Sequence, residues 1–328
     1  MSIFIETLNK KRTTPSPVWL MRQAGRHLPE YRKIRSNYPN LMDMFLNSDE
    51  VANITLQPVE RYDLDAAIIF SDILMVPYTL QSSVVFNEGG KGPVVNMEFD
   101  KEQKIEKAEP VFNAIEKVKE KSNIPLIGFA GGPWTTIFYC LFNAEERKKN
   151  IQPLIKNNEN KIDQLIEKFT NATINYAIKQ IDSGIDAFQL FESWAGILND
   201  EQFDKWCTQP TKEIFKEIKN RKIPTIGFPR GASLYSYVQY SNINGLSCVS
   251  LDQNFNLKNI SELSDKIAFQ GNLNPETLIL EKGKIVSEVK DILLAFKEYP
   301  HIFNLGHGVL PATPIENVRA MIDTIRGG

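Results

Sequence analysis

Eight short apolar runs, separated by longer segments of helical periodicity, constrain the fold of this chain more than any other feature. Runs that are apolar at nearly every position are typical of strands buried on both faces in a parallel sheet. The eight runs are Val18–Met21, Ala66–Phe70, Leu126–Ala130, Ala187–Phe191, Thr225–Phe228, Leu246–Leu251, Ile267–Phe269 and His301–Leu305. They predict a sheet whose strands all point the same way.

Between most of these runs lie segments with apolar residues three and four positions apart, which indicates helices. The predicted helices are Asp49–Arg61, Lys101–Lys121, Asn160–Ser183, Asp200–Asn220 and Glu276–Tyr299. Eight strands alternating with helices favour a single (β/α)8 TIM barrel. The alternative is a doubly wound open sheet, whose dinucleotide-binding version is disfavoured because no G-x-G-x-x-G follows the first run.

One segment departs from the strand–helix alternation. Leu80–Phe99 has apolar stretches on either side of the glycine-rich Glu88–Pro93, which predicts an extra hairpin on an early βα loop, the second. No linker stands out anywhere in the chain. We therefore predict one domain over residues 1–328.

Composition excludes several classes of protein. The net charge is −2, so a general affinity for nucleic acid is not expected. Met1–Arg12 lacks the apolar stretch of a signal peptide, and the uncharged stretches Ser122–Ala144 and Gly231–Leu251 do not read as membrane-spanning helices. The three cysteines form no C-x-x-C pair and no disulfide framework: Cys140, Cys207 and Cys248. We expect a cytoplasmic protein that binds neither nucleic acid nor a membrane.

The residues that follow each apolar run are the candidates for function, because a barrel carries its active site at the carboxyl ends of its strands. This set contains many groups that bind anions and a few carboxylates. In chain order it is Arg22–His27, Ser71-Asp72, Gly131–Trp134 with Tyr139 beyond it, Glu192-Ser193, Pro229–Gly231, Asp252, Gln270–Asn272 and Gly306–Gly308.

Four of these residues have a specific chemical interpretation. Arg22 and Arg26 follow a buried strand and carry the fork that suits a carboxylate or phosphate, although an internal salt bridge is the structural alternative. Asp72 follows five apolar residues, and a buried carboxylate needs either an arginine partner or donors from a ligand. His307 lies between two glycines, which allow close approach of a ligand, although a lone histidine is often structural. The histidines and cysteines do not cluster, so no metal site is predicted.

The motifs that contain these residues resemble those of the uroporphyrinogen decarboxylase family. Residues 17–26, PVWLMRQAGR, with Leu28-Pro29-Glu30-Tyr31 after them, are similar to its N-terminal signature. The resemblance continues in order almost to the end of the chain through Ile69–Leu74, Gly128–Thr135, Phe191–Ser193 and Asn304–Gly308. One departure is His27, where the family usually has tyrosine; its place beside Arg26 suggests an effect on the rim of the pocket.

The resemblance implies a (β/α)8 barrel, usually a homodimer, that uses no metal and no organic cofactor. It implies removal of four acetate carboxyl groups from uroporphyrinogen III, giving coproporphyrinogen III in haem biosynthesis. The catalytic residues it implies are Asp72, Arg22, Tyr139 and His307. Those implied to bind the substrate are these four together with Gln23, Ala24, Gly25, Arg26, Phe129, Phe191 and Ser193.

The chemistry of that substrate agrees with these residues. Arginines would bind its carboxylates, and a central Asp72 would accept hydrogen bonds from its pyrrole N–H groups. A pyrrole protonated at carbon can take the electron pair released on decarboxylation, and Asp72 would stabilise the resulting positive charge. Arg22, Tyr139 and His307 remain alternatives for the proton donor.

Three other functions are weighed against this one. A corrinoid-linked methyltransferase with the same barrel would need a zinc-bound thiolate, whereas the cysteines here are isolated. A non-enzymatic module that binds anions or porphyrins would keep the arginines without needing Asp72. An α/β enzyme acting on another anionic metabolite is the third, and the length of the first motif disfavours it.

Overall fold

A seven-stranded parallel sheet forms the centre of the fold in the computed structural model, which describes residues 2–86 and 92–327. The strands of the chain are β1 (Ala67–Ile68), β2 (Ser83–Phe86), β3 (Pro93–Asn96), β4 (Leu126–Gly131), β5 (Ala187–Glu192), β6 (Thr225–Pro229), β7 (Cys248–Ser250), β8 (Ala268–Leu273) and β9 (His301–Leu305). The sheet has the order β1-β4-β5-β6-β7-β8-β9, with every neighbouring pair parallel. Seven of the eight predicted runs therefore contain regular strands.

The first predicted strand, Val18–Met21, is not a regular strand. Val18 forms an isolated parallel bridge with Phe303 of β9. On its other side, the Val18 carbonyl accepts from the Asp65 N–H at 2.9 Å, and the Val18 N–H donates to Asp65 Oδ2 at 2.8 Å. The segment thus lies between the two edge strands of the curled sheet, β9 and β1. The fold is mixed α/β around a curled parallel sheet.

Helices surround the sheet. They are α1 (Ile3–Leu8), α2 (Pro29–Arg35), α3 (Leu41–Phe45), α4 (Ser48–Tyr62), α5 (Met75–Thr79), α6 (Glu109–Lys121), α7 (Pro133–Leu141), α8 (Gln152–Asp182), α9 (Asp200–Phe203), α10 (Gln209–Asn220), α11 (Leu234–Ser241), α12 (Lys282–Ala295) and α13 (Ile315–Ile325). None of the helices among the described residues is both long enough and apolar enough to cross a bilayer.

The predicted helices exist, but some of their ends differ. α8 begins at Gln152 rather than Asn160, because Pro153 lies in its first turn, where a missing N–H has no partner to lose. Asp200–Asn220 is helical throughout, with a wider π turn between α9 and α10. The segment Glu276–Tyr299 contains a 3-10 turn before α12.

The predicted hairpin is present as an antiparallel pair. β2 and β3 pair from Ser83 opposite Asn96 to Phe86 opposite Pro93. The predicted tip lies mostly outside the described residues, since residues 87–91 are not among them. The pair follows β1 and α5, so it belongs to the predicted second βα connection.

Polar side chains fill part of the space inside the curled sheet. Trp19 Nε1 donates to Gln270 Oε1 at 2.9 Å, and Gln270 Nε2 donates to Ser250 Oγ at 3.1 Å and to Gln189 Oε1 at 3.3 Å. These four residues are fully buried. The interior is therefore packed rather than open, and a substrate has to bind at an edge of the sheet.

Candidate active site

The predicted site residues come from several strands and meet at one edge of the sheet. Asp72 follows β1, Ser193 follows β5 and His307 follows β9. Because all seven strands are parallel, their carboxyl ends lie together at this edge. Arg22 follows the Val18 segment and joins them from the gap between β9 and β1.

A tight turn places the Arg22 side chain. Arg22 has a φ of 59°, a left-handed conformation that is uncommon for a residue with a side chain. The Met21 carbonyl accepts from the Val309 N–H at 2.9 Å, which joins the turn to the segment after β9. A Cβ added to Gly308 would lie 2.3 Å from Arg22 Cδ and 2.6 Å from its Cγ. The stem of Arg22 therefore rests directly on Gly308.

The rest of the first motif has mixed environments. Gln23 is fully buried, and its side chain accepts from the Leu20 N–H at 3.1 Å and donates to the Ala66 carbonyl at 3.4 Å. It holds the turn together, and a direct contact of Gln23 with substrate stays a prediction. Ala24 and Gly25 are half-buried, and Arg26 is exposed.

Neither Arg22 nor Arg26 forms an ion pair with any of the described residues. The internal salt bridge that was the structural alternative for both is therefore absent from that part of the chain. Both guanidinium groups remain available to an external anion.

Asp72 is the carboxylate at this edge that is least engaged by the protein. Its Oδ1 accepts from the Leu74 N–H at 2.9 Å, and the described residues supply no other hydrogen bond to it. Burial raises the pKa of Asp72 to about 6, an effect that the Leu74 N–H and the positive charge of Arg22 oppose. Asp72 is nevertheless partly exposed to solvent. It can therefore accept hydrogen bonds from a ligand.

The two other carboxylates that follow strands are used by the fold. Asp252 accepts from the Gly231 N–H at 2.8 Å, from the Tyr237 hydroxyl at 2.9 Å and from the Asn254 N–H at 2.8 Å. Glu192 is fully buried, and one of its oxygens accepts from the N–H and the hydroxyl of Thr135, at 3.0 and 2.7 Å. Its other oxygen has no hydrogen-bond partner among the described residues but is buried as well. Asp252 is thus engaged at both oxygens and Glu192 is closed off from solvent, whereas Asp72 is partly exposed.

His307 is within electrostatic range of two arginines. Burial, together with the positive charges of Arg230 and Arg22, lowers its pKa to about 3. The imidazole is therefore neutral near pH 7, with one N–H donor and one acceptor nitrogen. Arg230 also follows a predicted strand, Thr225–Phe228, but was not among the predicted site residues.

Aromatic side chains form an apolar surface beside these polar groups. Phe129 and Phe191 pack edge to face with ring centroids 5.5 Å apart, and Phe228 packs edge to face on Phe191 at 6.1 Å. Gln180 of α8 holds Phe129 in place, exchanging two 3.0 Å hydrogen bonds with its backbone. Phe129, Phe191 and Phe228 thus form a contiguous aromatic cluster, and contact of Phe129 and Phe191 with substrate stays a prediction.

Ser193 and Tyr139 are both half-buried. Ser193 directly follows the buried Glu192. The Tyr139 ring lies on α7 under the guanidinium of Arg147, 4.8 Å from the ring centroid, and 6.2 Å from the ring of Trp194. No described residue hydrogen-bonds to the hydroxyl of Tyr139.

His27 is buried rather than placed at the rim. Its ring lies parallel to that of Tyr62, with centroids 6.3 Å apart, and burial lowers its pKa to about 4. The expectation that it alters the rim of the pocket is not supported by this position. It fills core space behind the first motif.

The described residues contain no group of three His, Cys, Asp or Glu side chains arranged to hold a metal ion. Two surface grooves of about 520 and 500 Å³ run along α8–α9 and α9–α11, and none of the predicted site residues lines either one. The edge that carries Asp72 lies away from both grooves. It combines arginines that can bind an anion, one carboxylate with a single hydrogen bond, and a cluster of aromatic side chains.

Comparison with known proteins gives concordant matches. The family model for uroporphyrinogen decarboxylase (URO-D) matches residues 1–328. A uroporphyrinogen decarboxylase from Wolbachia of Brugia malayi is 44% identical over 94% of this chain and 91% of its own length. One from Chelativorans is 38% identical over 99% and 98%. A solved methyltransferase from Methanosarcina mazei is 16% identical, with a TM-score of 0.82 over 99% of this chain and 97% of its own, and this likeness shows a shared fold alone.

Proposed function

The chain belongs to the uroporphyrinogen decarboxylase family, and from that membership we propose how its residues remove carboxyl groups from uroporphyrinogen. The chain is a carboxy-lyase that acts on this porphyrinogen. Its products are coproporphyrinogen III and four molecules of CO2, one from each acetate side chain of uroporphyrinogen III. The reaction uses neither a metal nor an organic cofactor, since the substrate itself accepts the electrons.

Asp72 has the central role in this proposal, and one observation supports it. Asp72 is the carboxylate at the site edge that combines exposure with spare acceptor capacity, because it is partly exposed and the described residues supply its side chain with a single hydrogen bond. Asp252 is engaged at both oxygens, and Glu192, although one of its oxygens has no partner, is fully buried. Asp72 accepts hydrogen bonds from the pyrrole N–H groups, and its ionised form stabilises the positive charge of the protonated pyrrole.

The arginines bind the acidic side chains. Arg22 and Arg26 carry guanidinium groups without an ion-pair partner among the described residues, and the substrate has eight carboxylates. Phe129 and Phe191 contact the apolar faces of the pyrrole rings, while Ser193 and the backbone of Ala24 and Gly25 complete the contacts.

In this proposal His307 is not the proton donor. Because its pKa is about 3, His307 is a neutral hydrogen-bonding group near pH 7 and holds no readily transferred proton. Arg22 and Tyr139 remain as the donors in this proposal, and His307 binds and orients a substrate carboxylate.

Family membership also supports proposals about barrel closure, domain organisation, oligomeric state and location in the cell. We propose that Val18–Met21 acts as the eighth strand and closes the barrel, which its bridges to β9 and to Asp65 support. The chain is one domain over residues 1–328 and works as a homodimer, which sedimentation of the purified chain would test. Three free cysteines suit a cytoplasmic protein, and neither nucleic acid nor a membrane is a partner.

Substitution of Asp72 tests the proposed function. Asp72→Asn keeps an oxygen that can accept from the Leu74 N–H but removes the negative charge, so we expect turnover of uroporphyrinogen to fall by roughly a hundredfold or more. Turnover is measured anaerobically as stepwise loss of carboxyl groups. In the wild-type protein, activity should fall as the pH drops through about 6, since protonation of Asp72 removes the same charge.

Asp323→Asn on α13 is the matched control, because it makes the same chemical change on an exposed residue of an outer helix. It should retain wild-type turnover. A wild-type protein without activity on uroporphyrinogen would refute the function, and an active Asp72→Asn variant would refute the role of this carboxylate alone.

A further inference from the structure

Arg230 lies at the carboxyl end of β6, on the same face of that strand as an aromatic residue of the site. Phe228 is opposite Phe191 in the register of β5 and β6, and their rings are in contact. Side chains alternate between the two faces of a strand, so residues two apart share a face. The pattern therefore directs Arg230 to the side occupied by the Phe191 and Phe228 rings, at the mouth of the site.

The backbone of Arg230 is firmly held. Its N–H donates to the Glu192 carbonyl at 3.2 Å, and its carbonyl accepts from the Gly196 N–H at 3.0 Å. The next residue, Gly231, donates to the buried carboxylate of Asp252 at 2.8 Å. These bonds tie the end of β6 to both neighbouring strands, so the point from which the guanidinium extends does not depend on a loose loop.

The guanidinium of Arg230 has no anionic partner among the described residues, although the residue is half-buried. Arg221, just before β6, contrasts with it: this arginine is more exposed and pairs with Asp182 at 2.9 Å. A half-buried cation without a partner is unfavourable unless a ligand supplies the missing charge. The charged neighbours that bear on His307 are Arg230 and Arg22, both cationic, so this part of the mouth has an excess of positive charge.

The order of the sheet separates the two arginines. Arg22 comes from the segment between β9 and β1, the two edges of the sheet, whereas β6 is the fourth of the seven strands. In a curled sheet the middle strand is the one farthest from both edges. The backbone of Arg230 therefore lies across the mouth of the site from that of Arg22, and both charges act on His307.

We infer that Arg230 is a further substrate-binding residue, which binds a carboxylate of the porphyrinogen on the side of the macrocycle opposite the carboxylate bound by Arg22. This inference rests on the proposed function. A ligand with carboxylates all around its rim needs cations on opposite sides of the mouth, and Arg22 and Arg26 both belong to the first motif. Arg230 supplies the cation on the other side.

The test compares three variants of the full-length protein. Arg230→Gln removes the charge, and Arg230→Lys keeps the charge but loses the two-pronged geometry. Arg221→Gln removes an equal charge at the end of α10, four residues before β6. We expect Arg230→Gln to raise KM for uroporphyrinogen III about tenfold or more, Arg230→Lys to raise it less, and Arg221→Gln to leave it unchanged.

Two further measurements separate binding from a structural role. The Kd of coproporphyrinogen III, measured anaerobically, should rise in Arg230→Gln, and the midpoint of urea unfolding should stay at the wild-type value. An unchanged KM and Kd in Arg230→Gln would overturn the inference, as would an effect that Arg221→Gln reproduces or that a lower unfolding midpoint accounts for. If wild-type protein has no activity on uroporphyrinogen, the proposed function fails; if it is active and Arg230→Gln behaves like wild type, this inference alone fails.

Discussion

Gly308 leaves the space that the stem of the Arg22 side chain occupies. The position that a Cβ on Gly308 would occupy is 2.3 Å from Arg22 Cδ, 2.6 Å from Cγ and 3.0 Å from Cβ. Because the backbone of Arg22 is already in the left-handed region, the whole stem, rather than its flexible tip, would have to move. The glycine therefore positions the arginine.

Replacement of Gly308 by alanine should displace Arg22 and weaken substrate binding. We expect Gly308→Ala to raise KM for uroporphyrinogen about tenfold, since the guanidinium would no longer reach its carboxylate. In an Arg22→Ala background, which lacks Cγ and Cδ, the same change should have little further effect on the Kd of coproporphyrinogen III. Gly283→Ala on α12, where nothing lies within 4 Å of the added atom, is the control.

Equal effects of Gly308→Ala on Kd in both backgrounds would show that the glycine does not act through Arg22. Additivity is the expected result for independent sites, so the double mutant separates the two cases.

The position of a residue directly after an apolar run was the signal in the sequence that marked candidate site residues. Arg22, Asp72 and His307 were selected as candidates because each follows an apolar run, and the parallel sheet brings the ends of those runs to one edge. The same rule also marks Glu192 and Asp252, which the fold consumes with hydrogen bonds from Thr135, Tyr237 and backbone N–H groups. Only spatial neighbours distinguish a free carboxylate from an engaged one.

At the scale of elements, Glu192 joins the end of β5 to the start of α7. One of its oxygens accepts from the Thr135 N–H and hydroxyl, and a Cβ on Gly132 would lie 2.1 Å from the other. Burial raises the pKa of Glu192 to about 8, against the hydrogen bonds from Thr135 and the Trp134 N–H, which lower it. Near pH 7 the side chain is therefore mostly protonated in the folded protein.

Glu192 should make stability depend on pH. Its pKa is higher in the folded state than the ordinary 4.5, so its contribution is fully present below about pH 4.5 and is lost as the pH rises through about 8. Glu192→Gln removes this titration. We expect the free energy of unfolding of Glu192→Gln, relative to wild type, to rise by on the order of 3 kcal/mol between pH 4.5 and pH 8.

Urea unfolding of both proteins at several pH values measures this difference. Glu213→Gln on α10, an exposed residue, should show a constant difference from wild type. If the difference for Glu192→Gln is also constant across this range, Glu192 is ionised in the folded protein and the assignment is wrong.

Helix ends were harder to predict than helix existence. The apolar periodicity of α8 becomes regular only from Ile162, whereas the helix begins at Gln152, where Pro153 satisfies the geometry of a first turn. At Val18–Met21 a strand was predicted where the structure has none: the residues are apolar and buried, but only Val18 forms a bridge. A regular strand needs both burial of its side chains and backbone hydrogen bonds to its neighbours, and an apolar run in the sequence indicates only the burial.

At the scale of the whole molecule, Asp65 links the first motif to the sheet. Its Oδ2 accepts from the buried Val18 N–H at 2.8 Å and also lies 3.3 Å from Arg326 Nη2. Asp65→Ala leaves the Val18 N–H without an acceptor, so we expect the free energy of unfolding to fall by about 2 kcal/mol. KM should rise with it, because Arg22 follows the same segment.

Asp65→Asn is the matched variant for this experiment. It keeps an amide oxygen that can accept from Val18 and should lose much less stability than Asp65→Ala. Equal urea midpoints for wild type and Asp65→Ala would show that closure of the sheet at Val18 does not depend on this hydrogen bond.

The accessible surface of the molecule, 14,188 Å², is close to the roughly 13,700 Å² expected for a compact chain of 37.4 kDa.

Apolar runs and their spacing were sufficient to predict the parallel sheet, because a strand buried on both faces needs apolar residues at nearly every position of its own sequence. Strand direction then brings the post-strand residues to one edge, which makes the candidate site predictable from the order of the chain alone.

Tertiary structure decided the rest. The contact of Arg22 with Gly308, the effect of Arg22 and Arg230 on His307, and the packing of His27 on Tyr62 all depend on contacts between segments far apart in sequence. Asp72 keeps spare acceptor capacity because no distant segment among the described residues brings it a donor, and its one side-chain hydrogen bond comes from Leu74, two residues away. Burial, hydrogen bonding and charge act over a few ångströms in space, and no local pattern of residues records which distant groups will come that close.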